Sequence, residues 1–206
     1  MEATGFFEGI WIIWRNFFDV EIVLNHNQFI HLKISVQNVI QSWVTAVYAS
    51  PNSIGRHELW HHLNCIANSM HDPWILGGDF NLILYAEEKR GGSQLSTDVC
   101  PNFKSWYHVK QMVDLQFSSP RFTWSRENLS KRVDRAMSNQ DWIIKFNSYS
   151  VTHLPRIESN HIPILVRFEC NSRCMGSTKP FCFLAAWMML RYKDCLVAEK
   201  MREKTE

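Results

Sequence analysis

The stretch Trp74-Ile75-Leu76-Gly77-Gly78-Asp79-Phe80-Asn81 constrains this chain more than any other. A short apolar run reaches two glycines and then presents an acid and an amide, the pattern of a buried strand that ends at a site. Side chains alternate along a strand, so Asp79 and Asn81 are expected on one side and Phe80 on the other. Gly77 and Gly78 remove side chains where the backbone turns or where something approaches closely. An ordinary strand-to-turn transition would use the same residue types.

What precedes the stretch places it in a sheet. Leu59, Leu63, Ile66, Ala67 and Met70 recur at three- and four-residue steps and predict an amphipathic helix over 54–70. Before it, residues 42–48 are rich in β-branched and aromatic types and end at the turn signal Ala49-Ser50-Pro51-Asn52. A β-α-β unit with parallel strands puts the strand ends, Tyr48 and Asp79, on one edge of a sheet. His57, His61 and His62 fall on the helix, and without an HExxH pattern they read as surface histidines.

The rest of the chain follows the same periodic logic. Residues 9–14 are strand-like, and 19–25 with 28–36 predict a hairpin. Its second arm sets Phe29, His31, Lys33 and Ser35 opposite Ile30, Leu32, Ile34 and Val36, so one face is expected buried and the other wet. A charged loop over 82–96, through Glu87-Glu88-Lys89-Arg90-Gly91-Gly92, is expected to border whatever binds near Asp79. A second helix is predicted over 101–112, with Pro101 in its first turn, Asp98 as a candidate cap, and Phe103, Trp106, Tyr107 and Met112 turned mostly inward. Short strands at 122–124 and 132–136 are joined by a polar loop through Glu127, Asn128 and Lys131, and Asn139 can cap a brief helix over 140–146. Strands at 150–154 and 163–168 follow, with Ser159-Asn160-His161 at the end of the loop between them. Trp124 and Trp142 read as packing residues. The composition turns polar over 170–180, which predicts a linker between a domain at 1–169 and a helical tail at 181–206.

With 206 residues and 46% hydrophobic content the chain can bury one sizeable core. Its 22 basic and 20 acidic residues nearly cancel, so overall charge does not point to a polyanionic partner. Six Cys without CxxC pairing read as reduced thiols, and the N-terminus lacks a basic signal-peptide region. The apolar run 181–190 is too short to span a bilayer. No membrane partner and an intracellular or nuclear location are expected; oligomeric state is not encoded in any motif.

Four segments in order carry a resemblance: Tyr48-Ala49-Ser50-Pro51, Gly78-Asp79-Phe80-Asn81, Phe122-Thr123-Trp124 with Arg132-Val133-Asp134-Arg135, and Ser159-Asn160-His161-Ile162-Pro163-Ile164. Together they resemble the endonuclease/exonuclease/phosphatase superfamily of deoxyribonuclease I and the apurinic endonucleases. Glu88-Lys89-Arg90-Gly91-Gly92, His153-Leu154-Pro155-Arg156-Ile157 and Lys179-Pro180-Phe181 with Ala185-Ala186-Trp187 are similar to the endonuclease domain of plant LINE-type non-LTR retrotransposons, whose connector to a reverse transcriptase the tail resembles. The resemblance implies an α+β fold, a four-layered α/β/β/α sandwich, and metal-assisted hydrolysis of DNA phosphodiesters with Mg²⁺ or Mn²⁺. In that reading Asp79 orients or deprotonates the attacking water, and Asn81 donates to the phosphate. Asp134 holds His161, His161 stabilises charge developing on phosphorus, and Tyr48 contacts the phosphate.

Two departures from the family pattern bear on activity. The family's N-terminal Asn and metal-binding Glu have no counterpart here, so the fold is expected to lack its first strands and to be marginally stable and aggregation-prone. The family's Ser-Asp-His reads Ser159-Asn160-His161, which makes Asn160 a degenerate metal position. Hard cations want carboxylate oxygens, so the expectation is an inactive remnant that at most binds DNA or a protein partner. An active Mg-dependent DNA endonuclease and a phosphatase of the same superfamily are the alternatives.

Overall fold

The computed structural model describes residues 10–37, 39–92, 99–157, 159–169 and 181–185. The strands β1 (Asp19–His26), β2 (Phe29–Val36) and β3 (Val39–Tyr48) form an antiparallel meander. Helix α1 (Arg56–Ser69) then crosses over to β4 (Trp74–Asp79), which pairs with β3 in parallel as the β-α-β reading required. A 3-10 turn at Ala86–Glu88 leads into β5 (Lys89–Arg90), and α2 (Pro101–Val109) is followed by β6 (Val113–Asp114) and β7 (Phe117–Ser118). The chain continues through β8 (Trp124–Arg126), β9 (Leu129–Lys131) and β10 (Asp134–Ser138). The last described elements are α3 (Gln140–Lys145), β11 (Ser148–His153), β12 (Ile164–Glu169) and β13 (Phe181–Ala185).

Two sheets make a sandwich, one ordered β1-β2-β3-β4-β10-β6 and the other β13-β12-β11-β7, with a small sheet β5-β9-β8 beside them. Strand alternation assigns the first sheet's faces. Phe29, Val47, Trp74, Leu76 and Met137 pack under Leu59 and Leu63 of α1 and Phe103 and Trp106 of α2. Leu32, Val44, Ile75 and Ala136 face the other way and meet Val151, Ile164, Val166 and Phe168 of the second sheet. Each fully buried side chain of this size contributes about 1.5–3 kcal/mol, so both faces of the central strands are committed to the fold. This is the α+β sandwich that the resemblance implied.

Several local expectations are corrected. Residues 10–15 form no strand, and Trp11 and Ile13 are exposed. The hairpin has no wet face along most of β2: Phe29, His31 and Ser35 are buried, because α1 covers Phe29 and the Trp43 and Trp74 rings cover His31. The predicted polar loop through Glu127 and Asn128 is itself the tight hairpin β8–β9, with Glu127 at φ 51° in its turn. Helix α2 ends at Val109 rather than 112, since Gln111 takes a left-handed φ of 50°. Residues 181–185, expected to open a helix, are the strand β13 paired antiparallel to β12. The candidate cap Asp98, the linker 170–180 and residues 186–206 lie outside the described residues. Asn139 caps α3 as expected, accepting the Trp142 N–H at 3.0 Å. Among the described residues no helix is long and apolar enough to cross a membrane.

Candidate active site

Register builds the site. Tyr48 pairs with Asp79 across β3 and β4, and Asp79 pairs with Asp134 across β4 and β10, so three adjacent strands place these residues in one row. By alternation with Ile75 and Ala136 the row faces the second sheet, at the open end of the inter-sheet core. Gly78 makes the row possible: it sits at φ +138°, and a Cβ there would lie 2.1 Å from the Val47 carbonyl oxygen. Strand β4 stops at Asp79, and Asn81 turns into the left-handed region at φ 51°.

The expected partnership of Asp79 and Asn81 therefore arises by a different route. Alternation does not place them together, because Asn81 lies beyond the strand; instead its backbone N–H donates to Asp79 Oδ1 at 2.7 Å. The Asn81 amide Nδ2 donates to the Ala49 carbonyl at 2.8 Å, tying the loop after β3 to the end of β4.

His161 arrives from the far side. Its backbone bridges Trp124, Ile162 donates to the Thr123 carbonyl at 2.7 Å, and Ser125 donates to the Asn160 carbonyl at 3.0 Å. The Ser159 hydroxyl oxygen accepts the His161 N–H at 3.1 Å. The imidazole Nδ1 then lies 3.2 and 3.1 Å from the two oxygens of Asp134, while Nε2 is 4.0 Å from Asp79 Oδ2. Asp79 and Asp134 are each 1% exposed, so this pair of carboxylates is withdrawn from water, with the imidazole at its mouth.

That burial sets the electrostatics. The Asp79 carboxyl is pushed up to about 7, first by desolvation and then by the Asp134 charge; His161, the Asn81 N–H and Arg56 offset part of this. An oxygen base that titrates near neutrality is suited to proton transfer at physiological pH. With Nδ1 held by Asp134, the imidazole presents Nε2 toward the space beside Asp79, as a donor when protonated.

Residues outside the expected set hold this arrangement. Thr123 is fully buried, and its Oγ1 accepts the N–H groups of Val133 and Asp134 at 3.1 and 3.0 Å. Arg56 donates from Nη1 to the carbonyls of Ser50 and Pro51 at 2.6 and 2.7 Å, and Gln28 braces the same loop through Gly55 and Ser50. On the face of β10 away from His161, Glu88 and Asp114 pair with Arg132 and Arg135. Arg132 Nη1 lies 2.9 Å from Glu88 and 2.6 Å from Asp114, and Arg135 lies 2.8 Å from Glu88 and 3.0 Å from Asp114. Glu88 is thus a buried member of an ionic tetrad. The charged clusters in the sequence were a signal for it, because Arg132 and Arg135 flank Asp134. Asn160 is exposed and is tied to the site by its backbone.

The sequence profile of the Endonuclease/Exonuclease/phosphatase family matches residues 7–156, well over half of the chain. The chain belongs to that family. Solved structures agree on the endonuclease/exonuclease/phosphatase fold. The endonuclease domain of TRAS1, a telomere-specific non-LTR retrotransposon, superimposes with a TM-score of 0.58 at 16% identity, over 77% of this chain and 71% of that one. A 3′ phosphatase from Neisseria bound to a product DNA hairpin gives 0.54 at 15% identity, over 73% and 70%. A 3′–5′ exonuclease from Neisseria meningitidis gives 0.53 at 16% identity, over 73% and 71%. No curated protein matches the chain.

The family is generally metal-dependent, and Asp79, Asp134 and His161 offer donor atoms that all lie within 4.8 Å of one another. Their hydrogen bonds test the fit. Asp134 directs both oxygens at His161, and Asp79 directs Oδ1 at Asn81, while Asp79 Oδ2 and His161 Nε2 lie 4.0 Å apart. Two carboxylates already engaged in hydrogen bonds, with an imidazole nitrogen as the third donor, are a poor match to a hard ion such as magnesium, which takes oxygens.

Proposed function

We propose that this chain carries a remnant of a retrotransposon-type endonuclease centre directed at DNA phosphodiesters, with its base and imidazole assembled and its hard-ion site not, and that it cleaves DNA at background rate. The observation that carries this is the gap of 4.0 Å between Asp79 Oδ2 and His161 Nε2, at the mouth of a buried carboxylate pair. In a phosphodiester complex Asp79 takes the proton of an attacking water, and His161, oriented by Asp134, donates from Nε2 to an oxygen on phosphorus. Tyr48 and Asn81 bound the phosphate position. DNA as ligand is supported by the hairpin that pairs with His161, which carries Arg126 and Lys131, and by Arg156, which donates to Ser125 of that hairpin.

The plant LINE-type segments favour this reading over a phosphatase acting on small phosphates. Nicking of supercoiled plasmid with added magnesium or manganese tests it, comparing the chain with its His161→Ala variant. Equal, background nicking by both is expected. Nicking by the parent that disappears in the variant would establish an active endonuclease instead.

A further inference from the structure

Away from the inter-sheet site, helix α1 carries a second group of metal-ligating side chains on its outer surface. His61 and Cys65 are one helical turn apart, both are exposed, and His61 Nε2 lies 4.0 Å from Cys65 Sγ. The helix beneath them is fixed by Leu59, Trp60, Leu63 and Ile66, which are buried in the core, so the spacing of the two side chains is set by a rigid backbone. Zinc bonds of about 2.0–2.1 Å to nitrogen and about 2.3 Å to sulfur place two tetrahedral donors roughly 3.5 Å apart. The observed separation needs only a small side-chain rotation to close onto one ion.

Two nearby histidines, His26 and His62, are otherwise engaged. His26 Nδ1 accepts the Gln28 N–H at 3.2 Å, and the His62 ring lies against those of His26 and Phe29 at 4.7 and 5.7 Å. Three-donor convergence occurs among the described residues only at Asp79, Asp134 and His161, so on α1 the protein supplies two donors.

We infer that His61 and Cys65 form a bidentate, solvent-open site for a borderline or soft divalent ion of the zinc class. Coordination releases the thiol proton to solvent and forms a metal–thiolate bond, with the imidazole lone pair as the second ligand and water completing the tetrahedron. Thiolate and imidazole select against magnesium, which separates this site chemically from any hard-ion chemistry at Asp79. The inference stands independently of the nuclease reading.

Alkylation of Cys65 by iodoacetamide, followed by peptide mass mapping of the full chain with and without zinc chloride, tests it. Zinc is expected to slow alkylation of Cys65 severalfold, magnesium is not, and His61→Ala is expected to abolish the protection while Asp79→Asn retains it. Equal alkylation with and without zinc, or protection that persists in His61→Ala, would overturn the site. Because both side chains are exposed, the substitution at His61 leaves the helix packing intact.

Discussion

Both carboxylate oxygens of Asp134 lie within 3.2 Å of His161 Nδ1, so Asp134 acts on the imidazole while Asp79, its cross-strand partner, meets the opposite ring nitrogen. The two buried carboxylates therefore have separate contacts, and in the proposed function separate tasks, Asp134 orienting the imidazole and Asp79 serving as base. The separation rests on backbone register, because the antiparallel pairing of β4 with β10 fixes both at once.

The first expectation concerns the Asp79 proton. Asp134 raises the Asp79 pKa and His161 lowers it. Asp134→Asn is expected to bring Asp79 down from about 7 toward ordinary carboxylate values, and His161→Ala to move it up. A carbon-13 NMR titration of the Asp79 carboxyl reads both directions.

Stability should carry the same signature. The folded pKa lies above the unfolded value of 3.8, so between about 4 and about 7 the native state holds a proton that the unfolded chain has released. Unfolding free energy is expected to fall as pH rises through that window, by up to about 4 kcal/mol, and Asp79→Asn should remove this component. Urea denaturation at several pH values compares the two slopes.

The ionic tetrad behind Asp134 makes a different prediction. Arg135 is fully buried, and its loss leaves Glu88 and Asp114 sharing Arg132 alone. Arg135→Met is expected to cost about 3–5 kcal/mol, because an uncompensated buried charge remains. Chemical denaturation measures it, and a cost below about 1 kcal/mol would mean that the tetrad does not hold β10.

Gly78→Ala should be worse still. A left-handed φ combines with a Cβ 2.1 Å from the Val47 carbonyl oxygen, and neither backbone can yield without breaking the β3–β4 pairing. Loss of more than about 3 kcal/mol, seen as failure to reach a cooperative unfolding transition, is expected.

What the sequence revealed follows the range over which its signals act. The β3-α1-β4 crossover and the Asn139 cap rest on short-range periodicity and capping chemistry, and both appear where expected. The pairing of Asp134 with His161 entered by resemblance, and the geometry brings the two together. The burial of Glu88 carried no local signal, because its partners Arg132 and Arg135 come from more than forty positions along the chain. Thr123 gave no periodic signal for its hydroxyl, whose value depends on two N–H groups left unpaired where the chain enters β10. Asn81 was placed by alternation, which fails one residue past a strand end once φ turns positive. His31 and Phe29 looked half-wet because one strand cannot show that a helix will cover its second face.

In the proposed centre the base and imidazole are assembled while the hard-ion site is not. Isothermal titration of magnesium into the full chain, with Asp79→Asn as reference, tests this most directly. No saturable one-to-one heat in the parent beyond that of the variant is expected. Saturable one-to-one binding that disappears in Asp79→Asn would contradict it and would show a hard-ion site intact beside Asp79.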